Sequence, residues 1–521
     1  MNYPEFYSAL FRVTLPETAL EVAALLVLVV DLGFLRKAAL NVRVAVAAAL
    51  GVLGCAAAFW AIGIQTGLGL SVDGNLVLAN GGVGAAAQCG ILVLTALTLL
   101  LLFDSLFTRH IGEFVAVVLM AAAGGLLIAV AQDLLVIFIG LELLSLGLYI
   151  LTAFAKSSGK SAEAAMKYYL FGGMSAAFLL FGFSYLYGLS GSTYLPRVVY
   201  GANIAASNGG SPLLLIALVL VAAGLGFKVA AVPFHLWAPD TYEGAPAPAA
   251  AFIASVSKVA SFALLISIGS SALRYMQTLI QSWQATGSVY FRVTGTSLNG
   301  PQHVAVTVQY GWFVILVVLS VASVVLGNLA ALAQTSVRRL LAYSAIAHAG
   351  YILLGLAFLS WSNRIPQAVL YYVLTYGLTT IGAFGVIAVV ERATGSDKLD
   401  AFLGLHKRSP ALAAVLLILF LSLAGIPPLV GFWAKFNLFA AVLSTNAGVV
   451  PFALVALAIV MSAVSLFYYL QVLKRAYVMT AVDASPIKVH PITMAVLVAI
   501  AAAVVLLGCF PTLLGGWIGT F

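Results

Sequence analysis

Charged residues are scarce in this 521-residue sequence. Asp, Glu, Lys and Arg together make up 8% of it, whereas hydrophobic residues make up 63% and the mean hydropathy is +1.13. Soluble domains carry about 25% charged residues, so the composition excludes an ordinary soluble protein. The apolar runs are about 20 residues long, which is typical of membrane helices and not of barrel strands of about 10 alternating residues. The predicted class is therefore an all-α polytopic membrane protein.

Cysteine is equally scarce. Cys55, Cys89 and Cys509 lie in separate apolar runs, and no two of them form a C-x-x-C pair. Iron–sulfur and zinc sites need clusters of such ligands, so we expect no metal in this chain and interpret the thiols as buried and inert. A G-x-G-x-x-G motif following a strand is also missing, so no NADH or flavin site is expected.

Fourteen candidate spans can be delimited in the sequence, because a membrane helix needs about 20 apolar residues. Their approximate bounds are 17–34, 42–66, 88–107, 113–130, 133–154, 164–188, 211–232, 247–270, 309–333, 338–359, 366–391, 409–444, 450–474 and 491–513. Two longer polar connections separate some of them, at 189–210 and 271–308. We expect a helical bundle with short loops elsewhere.

The basic residues predict the orientation of these spans. If the N-terminus lies outside, fifteen of the 24 Lys and Arg fall in inside loops and five fall outside. Inside loops of membrane proteins carry such an excess, so both termini are expected on the outer side. The net charge of +8 is then a matter of topology, and no nucleic-acid partner is expected. The other four basic residues, Lys167, Lys228, Lys258 and Lys435, fall within spans.

Two spans contain helix-breaking prolines. Pro233 lies in span seven, and Pro427 with Pro428 lies in span twelve. Proline removes a helix hydrogen bond, and in lipid the freed carbonyls need protein or water as partners. Because the broken spans lie five apart, spans 4–8 and 9–13 are predicted to form two inverted five-helix repeats. The expected segments are 1–110 with three helices, 111–280 and 305–480 with one repeat each, and 490–521 with the last helix.

Three lysines and one acid lie deep in these apolar runs. A charge at the bilayer centre costs about 2.5–3.5 kcal/mol on insertion scales, so Lys228, Lys258, Lys435 and Glu142 are functional candidates. Burial favours the neutral amine, whereas a nearby carboxylate favours the ammonium. Glu142 is expected to pair with Lys228 or with Lys167. A row of such groups, linked by water and histidine, can load and release protons.

Other ionisable residues permit two interpretations. Lys167 follows Glu163 by four residues, which also suits a surface pair. His235 would share a helix face with Lys228 if the helix continued, and His348 either relays protons or is a hydrogen-bonded core histidine. For a further set, structural explanations suffice: Asp31 and Asp104 as interfacial or locally paired, Asp133 as a helix N-terminal charge, and Asp240 and Glu243 as caps of span eight.

Several long motifs resemble the antiporter-like membrane subunits of respiratory complex I, which are related to subunits of multi-subunit cation/proton antiporters. They are GLELLSLGLYIL around Glu142, KYYLFGGMSAAFLLFG from Lys167, KVAAVPFHLWAPDTYEGAPAPAAAFIASVSKVASF from Lys228, RRLLAYSAIAHAGY and LSLAGIPPLVGFWAKF. Together they spread over residues 133–437. Two features are most similar to the subunit N branch. One is Lys435 in the twelfth helix, and the other is the sequence of the AGIPPLVGFWAKF and KYYLFGG segments.

This resemblance implies roles for the deep charges. Glu142 and Lys228 would form the charge pair of helices five and seven, Lys258 would be the central relay, and Lys435 would lie nearest an exit. Lys167 and His235 match family positions of smaller effect. The chain would translocate protons while other subunits, carrying FMN, iron–sulfur clusters and quinone, oxidise NADH. The expected location is the bacterial inner membrane, beside antiporter-like subunit M, small subunit K, the J, A, H and L subunits, and lipid.

Two other functions use the same residues. The chain could instead be the membrane subunit of a multi-subunit Na⁺/H⁺ antiporter, which the neighbouring genes would distinguish. Alternatively, the buried charges serve assembly only, as in a structural scaffold. That hypothesis predicts that neutralising Lys258 disrupts assembly and leaves coupling intact in each assembled complex.

Overall fold

The structure is a computed structural model of the 521-residue chain. It describes residues 3–65, 67–72, 75–105, 107–205, 211–286, 289–290, 297–298, 306–445, 447–480 and 485–520. In the second polar connection, side chains are described up to residue 271 and again from residue 311. Within these ranges the chain is overwhelmingly α-helical, as the composition predicts.

The described residues form twenty α-helices and two short antiparallel strand pairs. The helices are α1 Tyr3–Val13, α2 Leu15–Val29, α3 Leu40–Gln65, α4 Gly82–Leu100, α5 Ile111–Val130, α6 Leu134–Thr152, α7 Gly159–Ser190, α8 Leu195–Ala205, α9 Ser211–Val229, α10 Trp237–Gly244, α11 Ala247–Thr286, α12 Val306–Leu332, α13 Val337–Ala357, α14 Ile365–Thr394, α15 Leu405–Arg408, α16 Pro410–Ala424, α17 Val430–Leu443, α18 Val449–Tyr477, α19 Pro491–Cys509 and α20 Pro511–Gly519. The strands are β1 Gly69–Val72 with β2 Asn75–Ala79, and β3 Val289–Tyr290 with β4 Ser297–Leu298.

Within the described residues, twelve helices are long and apolar enough to cross a membrane. A thirteenth span results if α1 and α2 are counted together, although they meet at a bend of 76°. The expectation of fourteen is higher because the predicted twelfth span is divided into α16 and α17, of 15 and 14 residues. Each is shorter than the roughly 20 residues that a crossing requires. The polytopic helical class is confirmed, and the count from single helices is 12 to 13.

The two polar connections contain more helix than the sequence suggests. The first holds α8, and residues 206–210 lie outside the described part of the chain. At the second, α11 continues to Thr286, well beyond the predicted end of span eight. Its remainder includes the small β3–β4 pair, and residues 291–296 and 299–305 lie outside the described part of the chain.

Both proline-containing spans are interrupted where the sequence predicts. Helix α9 ends at Val229, and α10 begins only at Trp237, with Pro233 in the turn between them. Helix α16 ends at Ala424, and α17 begins at Val430 after the Pro427–Pro428 pair. The chain leaves each first helix through a left-handed residue, Ala230 with φ 58° and Gly425 with φ 87°. Only glycine adopts this conformation freely, so Ala230 is a strained position.

The same backbone contacts recur in the two halves of the chain. At the start of α6, the Leu134 amide donates to Thr193 O, and Leu195 N donates to Gln132 O, both at 2.9 Å. At the start of α13, the Val337 amide donates to Asp397 O, and Leu399 N donates to Thr335 O, again at 2.9 Å. These paired bonds tie the N-terminus of one helix to the segment that follows the next helix. The segment itself follows a left-handed glycine in each half, Gly191 and Gly395.

Glycines also permit equivalent close helix contacts in both halves. A Cβ on Gly124 of α5 would lie 2.6 Å from the Leu144 amide of α6, and one on Gly327 of α12 would lie 2.6 Å from the Ala347 amide of α13. The apolar spans of α11, α13 and α14 then occupy the middle of the bundle, and their described side chains are almost wholly buried. They therefore position any polar residue they carry away from lipid.

Gly124→Ala is expected to destabilise the protein, because the added methyl group meets main-chain atoms that cannot rotate away. Overpacking of this kind costs about 1–3 kcal/mol. Gly173→Ala is the matched control, since a Cβ there would meet nothing within 4 Å. Thermal unfolding of the purified complex measures both variants. Equal melting temperatures for Gly124→Ala and Gly173→Ala would contradict the close contact.

Candidate functional site

The Glu142 carboxylate lies beside the Lys228 ammonium, with 3.9 Å between Oε1 and Nζ. Helix α6 carries the acid and the last turn of α9 carries the lysine. Lys228 Nζ also donates to Ser145 Oγ at 2.6 Å, and its side chain is 8% exposed. Of the two partners that the sequence left open for Glu142, the structure therefore selects Lys228.

Glu142 reaches the outer surface of the chain, with 29% of its side chain exposed. Its helix presents a row of exposed apolar side chains on both sides of it, at Leu135, Ile139, Leu146 and Ile150. A carboxylate in such surroundings is stabilised by little except its lysine, because hydrocarbon solvates charge poorly. Lys228 is therefore the opposite charge that the Glu142 carboxylate contacts.

Lys258 is the most buried of the candidate lysines, at 1% exposure. Its Nζ donates to the main-chain carbonyl of Val229 at 2.5 Å, at the end of α9. This carbonyl is free because the helix stops there and the left-handed Ala230 turns the chain away. The neighbouring hydroxyls of Ser255 and Ser257 instead donate to carbonyls of their own helix. Lys258 is therefore held by the main chain at the first interruption.

Lys435 occupies an equivalent place at the second interruption. Its Nζ donates to Ala424 O at 2.9 Å and to Leu423 O at 3.3 Å, both in the last turn of α16. It also donates to Ser462 Oγ at 2.8 Å and lies 5.5 Å from the Tyr351 ring centre. The negative end of a helix favours a cation. At both interruptions, therefore, a carbonyl at the end of the first helix accepts a hydrogen bond from a buried lysine.

His348 lies on α13, which packs against both α11 and α17, the helices that carry these two lysines. Its Nδ1 is 2.9 Å from the Tyr372 hydroxyl, and its Nε2 is 3.4 Å from the Tyr469 hydroxyl. The Tyr469 hydroxyl in turn contacts Ser344 Oγ. A hydrogen-bonded core histidine and a proton relay require the same contacts, so the geometry satisfies both interpretations. It places His348 in a buried group of hydroxyls.

A second polar chain leads from Lys435 through the same interior. The Tyr351 hydroxyl accepts from Asn328 Nδ2 at 3.0 Å, and Tyr468 donates to Asn328 Oδ1 at 3.1 Å. The Tyr468 and Tyr469 rings are 4.5 Å apart. Sequence reasoning did not identify these tyrosines and Asn328. Their signal was weak, because a tyrosine in an apolar helix usually packs as part of the core.

His235 would share a helix face with Lys228 only if the helix continued, and the structure does not meet that condition. The helix ends at Val229, so His235 lies in the turn before α10. The histidine is buried at 7% exposure, and its Nδ1 has no hydrogen-bond partner. The proline break, which the sequence shows plainly, already removes the helical continuity that the prediction assumed.

Lys167 belongs to a different group of ion pairs from Glu142. This group joins α7, which carries Lys167, to α10. Lys167 pairs with Glu163 at 2.7 Å, as the surface-pair interpretation predicts, and with Asp240 at 2.8 Å. Arg339 Nη1 contacts Asp240 at 2.6 Å and Glu243 at 3.1 Å. The prediction that Asp240 and Glu243 cap span eight is wrong, since both belong to α10 and α11 starts at residue 247.

This group of ion pairs fixes α10 to the second half of the chain. Arg338 donates to the carbonyls of Ala245, at 2.6 Å, and Glu243, at 3.3 Å, and pairs with Glu391 of α14. Burial acts to raise the pKa of Asp240, but hydrogen bonds from Lys167 and Arg339 outweigh it, so this pKa lies below its ordinary value. Asp240 therefore stays ionised at neutral pH.

The other three acids singled out in the sequence each have a partner. Asp31 accepts from Arg43 at 2.7 and 2.5 Å, which is the predicted local pairing. Asp104 pairs with Arg392 of α14, a partner far along the chain. Asp133 accepts from the Leu135 amide at 2.9 Å and so caps α6, as predicted.

In the described part of the chain, no group of three or more His, Cys, Asp or Glu is arranged to hold a metal ion. Cys55 and Cys89 are buried as expected. Cys509 is exposed at the end of α19, contrary to the expectation that all three thiols are buried. The chemistry available to the site is therefore that of amines, carboxylate, imidazole and hydroxyls, which exchange protons.

Comparison with known proteins shows which family has this arrangement. A family model described as "NADH:quinone oxidoreductase/Mrp antiporter, TM" matches residues 131–296 and 301–462. NADH-quinone oxidoreductase subunit N 2 of Acidobacterium capsulatum is 48% identical over 99% of both chains. A chain of respiratory complex I from Thermus thermophilus is 32% identical, with a TM-score of 0.73 over 96% of this chain and 98% of that one.

The chain therefore belongs to the NADH:quinone oxidoreductase/Mrp antiporter family of membrane subunits, in its subunit N branch. The resemblance found in the motifs is confirmed. A chain of the Mrp complex from a Dietzia species is similar in fold, with a TM-score of 0.74 over 98% of this chain and 96% of that one. At 20% identity this similarity concerns the fold alone.

Asp240→Asn is expected to lower the melting temperature of the purified complex, because it removes the charge that Lys167 and Arg339 share. Lys160→Gln is the control, since it removes only one exposed pair with Glu243, and such pairs contribute about 0–1 kcal/mol. With a lowered pKa, the contribution of Asp240 is fully present above about pH 4, the ordinary Asp value. The difference from wild type should therefore shrink as the pH falls through the lowered pKa. Identical melting curves at pH 7 would contradict this.

Proposed function

We propose that this chain is the proton-translocating membrane subunit N of respiratory complex I. The observation that carries the proposal is the matched placement of Lys258 and Lys435. Each ammonium is buried, is held by a carbonyl at the end of an interrupted helix, and lies on a helix that packs against α13, which carries His348. Ionisable groups this deep in a membrane mark proton pathways far more often than they stabilise a fold.

Proton movement would begin at the Glu142–Lys228 pair. While the carboxylate stays near, Lys228 keeps its proton, because opposite charges favour the charged form of each other. If a charge in a neighbouring subunit draws Glu142 away, the Lys228 ammonium loses that support. Its positive charge then acts on Lys258 of α11, whose ammonium donates to the carbonyl of Val229, the residue after Lys228. Electron transfer in other subunits would thus change the electrostatic potential at Lys228 and Lys258.

Lys258 and Lys435 would pass the proton along the interior. The imidazole of His348 can accept a proton on one nitrogen and release one from the other. Its contacts with Tyr372 and Tyr469 hold the ring in one orientation. Carbonyls at Val229 and Ala424 solvate each lysine while it is charged, which lowers the cost of holding a proton there. Lys167 and His235 have weaker roles in this scheme.

The repeated contacts support an inverted repeat of helices 4–8 and 9–13. The paired bonds at Leu134 and Val337, the glycine contacts at Gly124 and Gly327, and the two interruptions all recur in the same order. On this plan α16 and α17 together form the twelfth of fourteen spans. The segments 1–110, 111–280, 305–480 and 490–521 are then the N-terminal helices, the two repeats and the C-terminal helix.

The setting we propose is the bacterial inner membrane, with both termini on the outer side. The partners would be antiporter-like subunit M, small subunit K and the J, A, H and L subunits, together with lipid. NADH, FMN, iron–sulfur clusters and quinone would be bound by those other subunits, and this chain would supply no redox chemistry. An antiporter role uses the same lysines, but 48% identity to a subunit N over almost the whole chain favours complex I.

Lys258→Ala is expected to abolish most of the proton uptake that accompanies NADH oxidation. The substitution removes the relay amine and leaves no titratable group at that position. Sealed native-membrane vesicles measure electron transfer and proton uptake, and a native gel measures assembly. Lys156→Ala, at an exposed loop lysine, should leave all three unchanged.

Normal pumping by assembled Lys258→Ala complexes would refute the relay. A loss of assembly, with normal pumping in each complex that does assemble, would instead support the scaffold hypothesis.

Glu142→Gln and Lys228→Met are each expected to reduce proton uptake severalfold. The double variant should resemble either single variant, because two residues that act as a pair are not additive. The measurement is NADH-driven proton uptake per electron in assembled complexes of all four genotypes. Independent, multiplying losses would show that the two residues do not work as a unit.

A further inference from the structure

We infer that a groove between α16 and α18 binds one anionic phospholipid of the inner leaflet. The groove has a volume of about 760 Å³. Its walls are apolar, with Leu417 and Leu421 on α16 and Phe467 and Leu470 on α18, and its mouth carries Lys474 and Arg475. An apolar trough that ends in two cations complements a molecule with hydrocarbon chains and an anionic headgroup.

The depth of the groove matches a single leaflet. Leu421 lies eleven residues from the start of α16, and Phe467 lies ten residues before the end of α18. At 1.5 Å per residue, the groove extends about 15 Å from the basic end of these helices. The hydrocarbon core of a bilayer is about 30 Å thick, so the groove spans about half of it. A transmembrane helix of a neighbouring subunit would instead need a surface that runs through both leaflets.

The charges at the mouth favour an anion. The Lys474 side chain is exposed and the structure shows it with no acidic partner among the described residues. Arg475 donates through Nη1 to Gln471 O at 3.2 Å, and its Nε is 3.7 Å from Asp400. Since Asp400 is 82% exposed, it offsets only part of the charge. Basic pockets between membrane helices on the inner side bind phospholipid headgroups in this way.

A bound lipid would also support the second interruption. Leu421 forms part of the groove wall, and Leu423 and Ala424, in the same turn, supply the carbonyls that hold Lys435. Helix α16 has only 15 residues and ends freely at this point. Hydrocarbon packed against its outer side would therefore keep the carbonyls in place. This consequence depends on the groove being filled and not on the proton pathway itself.

The test uses the purified whole complex, spin-labelled phosphatidylglycerol as the anionic probe and spin-labelled phosphatidylcholine as the neutral one. Lys474→Gln should lower the association of phosphatidylglycerol roughly fivefold, since one basic residue near an anionic lipid contributes about that much. Association of phosphatidylcholine should not change, and Lys156→Gln should behave as wild type. Raising the salt concentration should reduce the preference of the wild type for phosphatidylglycerol.

A second variant tests the groove without changing charge. Leu421→Trp places an indole in the trough, and native mass spectrometry should then find one phosphatidylglycerol fewer on each complex. Unchanged phosphatidylglycerol association in Lys474→Gln would overturn the proposal. So would release of a neighbouring subunit from Leu421→Trp with the lipid count unaltered, because it would show that protein covers the groove.

Discussion

Buried ammonium groups and the free carbonyls of interrupted helices stabilise each other in this protein. An ammonium in hydrocarbon lacks solvent, and so does a carbonyl at a helix end. Lys258 on Val229 O and Lys435 on Ala424 O satisfy both needs with one hydrogen bond each. The prolines that stop the helices, the left-handed exits at Ala230 and Gly425, and the tight packing of α11, α13 and α14 all serve this contact. Each would be hard to explain without it.

The two interruptions belong to one connected structure. Helix α10, which follows the first break, is held at its far end by Arg338 and Arg339 of α13. The same α13 carries His348 and packs against α11 and α17, which carry the two buried lysines. A displacement at Glu142 and Lys228 therefore reaches the second half through packed helices and fixed charges as well as through electrostatics. Coupling in such a network needs no cofactor within the chain.

The helical class, the interruptions and the deep lysines could be predicted from the sequence, because each is imposed by the cost of polarity in lipid. The same cost predicted a lysine partner for Glu142 but left Lys228 and Lys167 as alternatives. Partners selected by three-dimensional packing could not be predicted in this way. Asp240 was assigned to a cap because its partner Arg339 is distant in sequence, and Gly124 could not be distinguished among 48 glycines. The surroundings of His235 could not be predicted, because the path of the chain after the proline break is set by packing.

Because the carbonyls that hold the two lysines are main-chain groups, ordinary mutagenesis cannot remove them. Substituting Val229, Leu423 or Ala424 changes a side chain and leaves the carbonyl in place. Genetic screens of this protein should therefore identify the lysines that donate these hydrogen bonds but not the carbonyls that accept them. Natural sequence variation has the same limitation, since it can move these carbonyl oxygens only by changing the residue at which each helix ends. Selection on proton transfer should then act on the prolines and on position 230, although the side chains there carry no group that binds a proton.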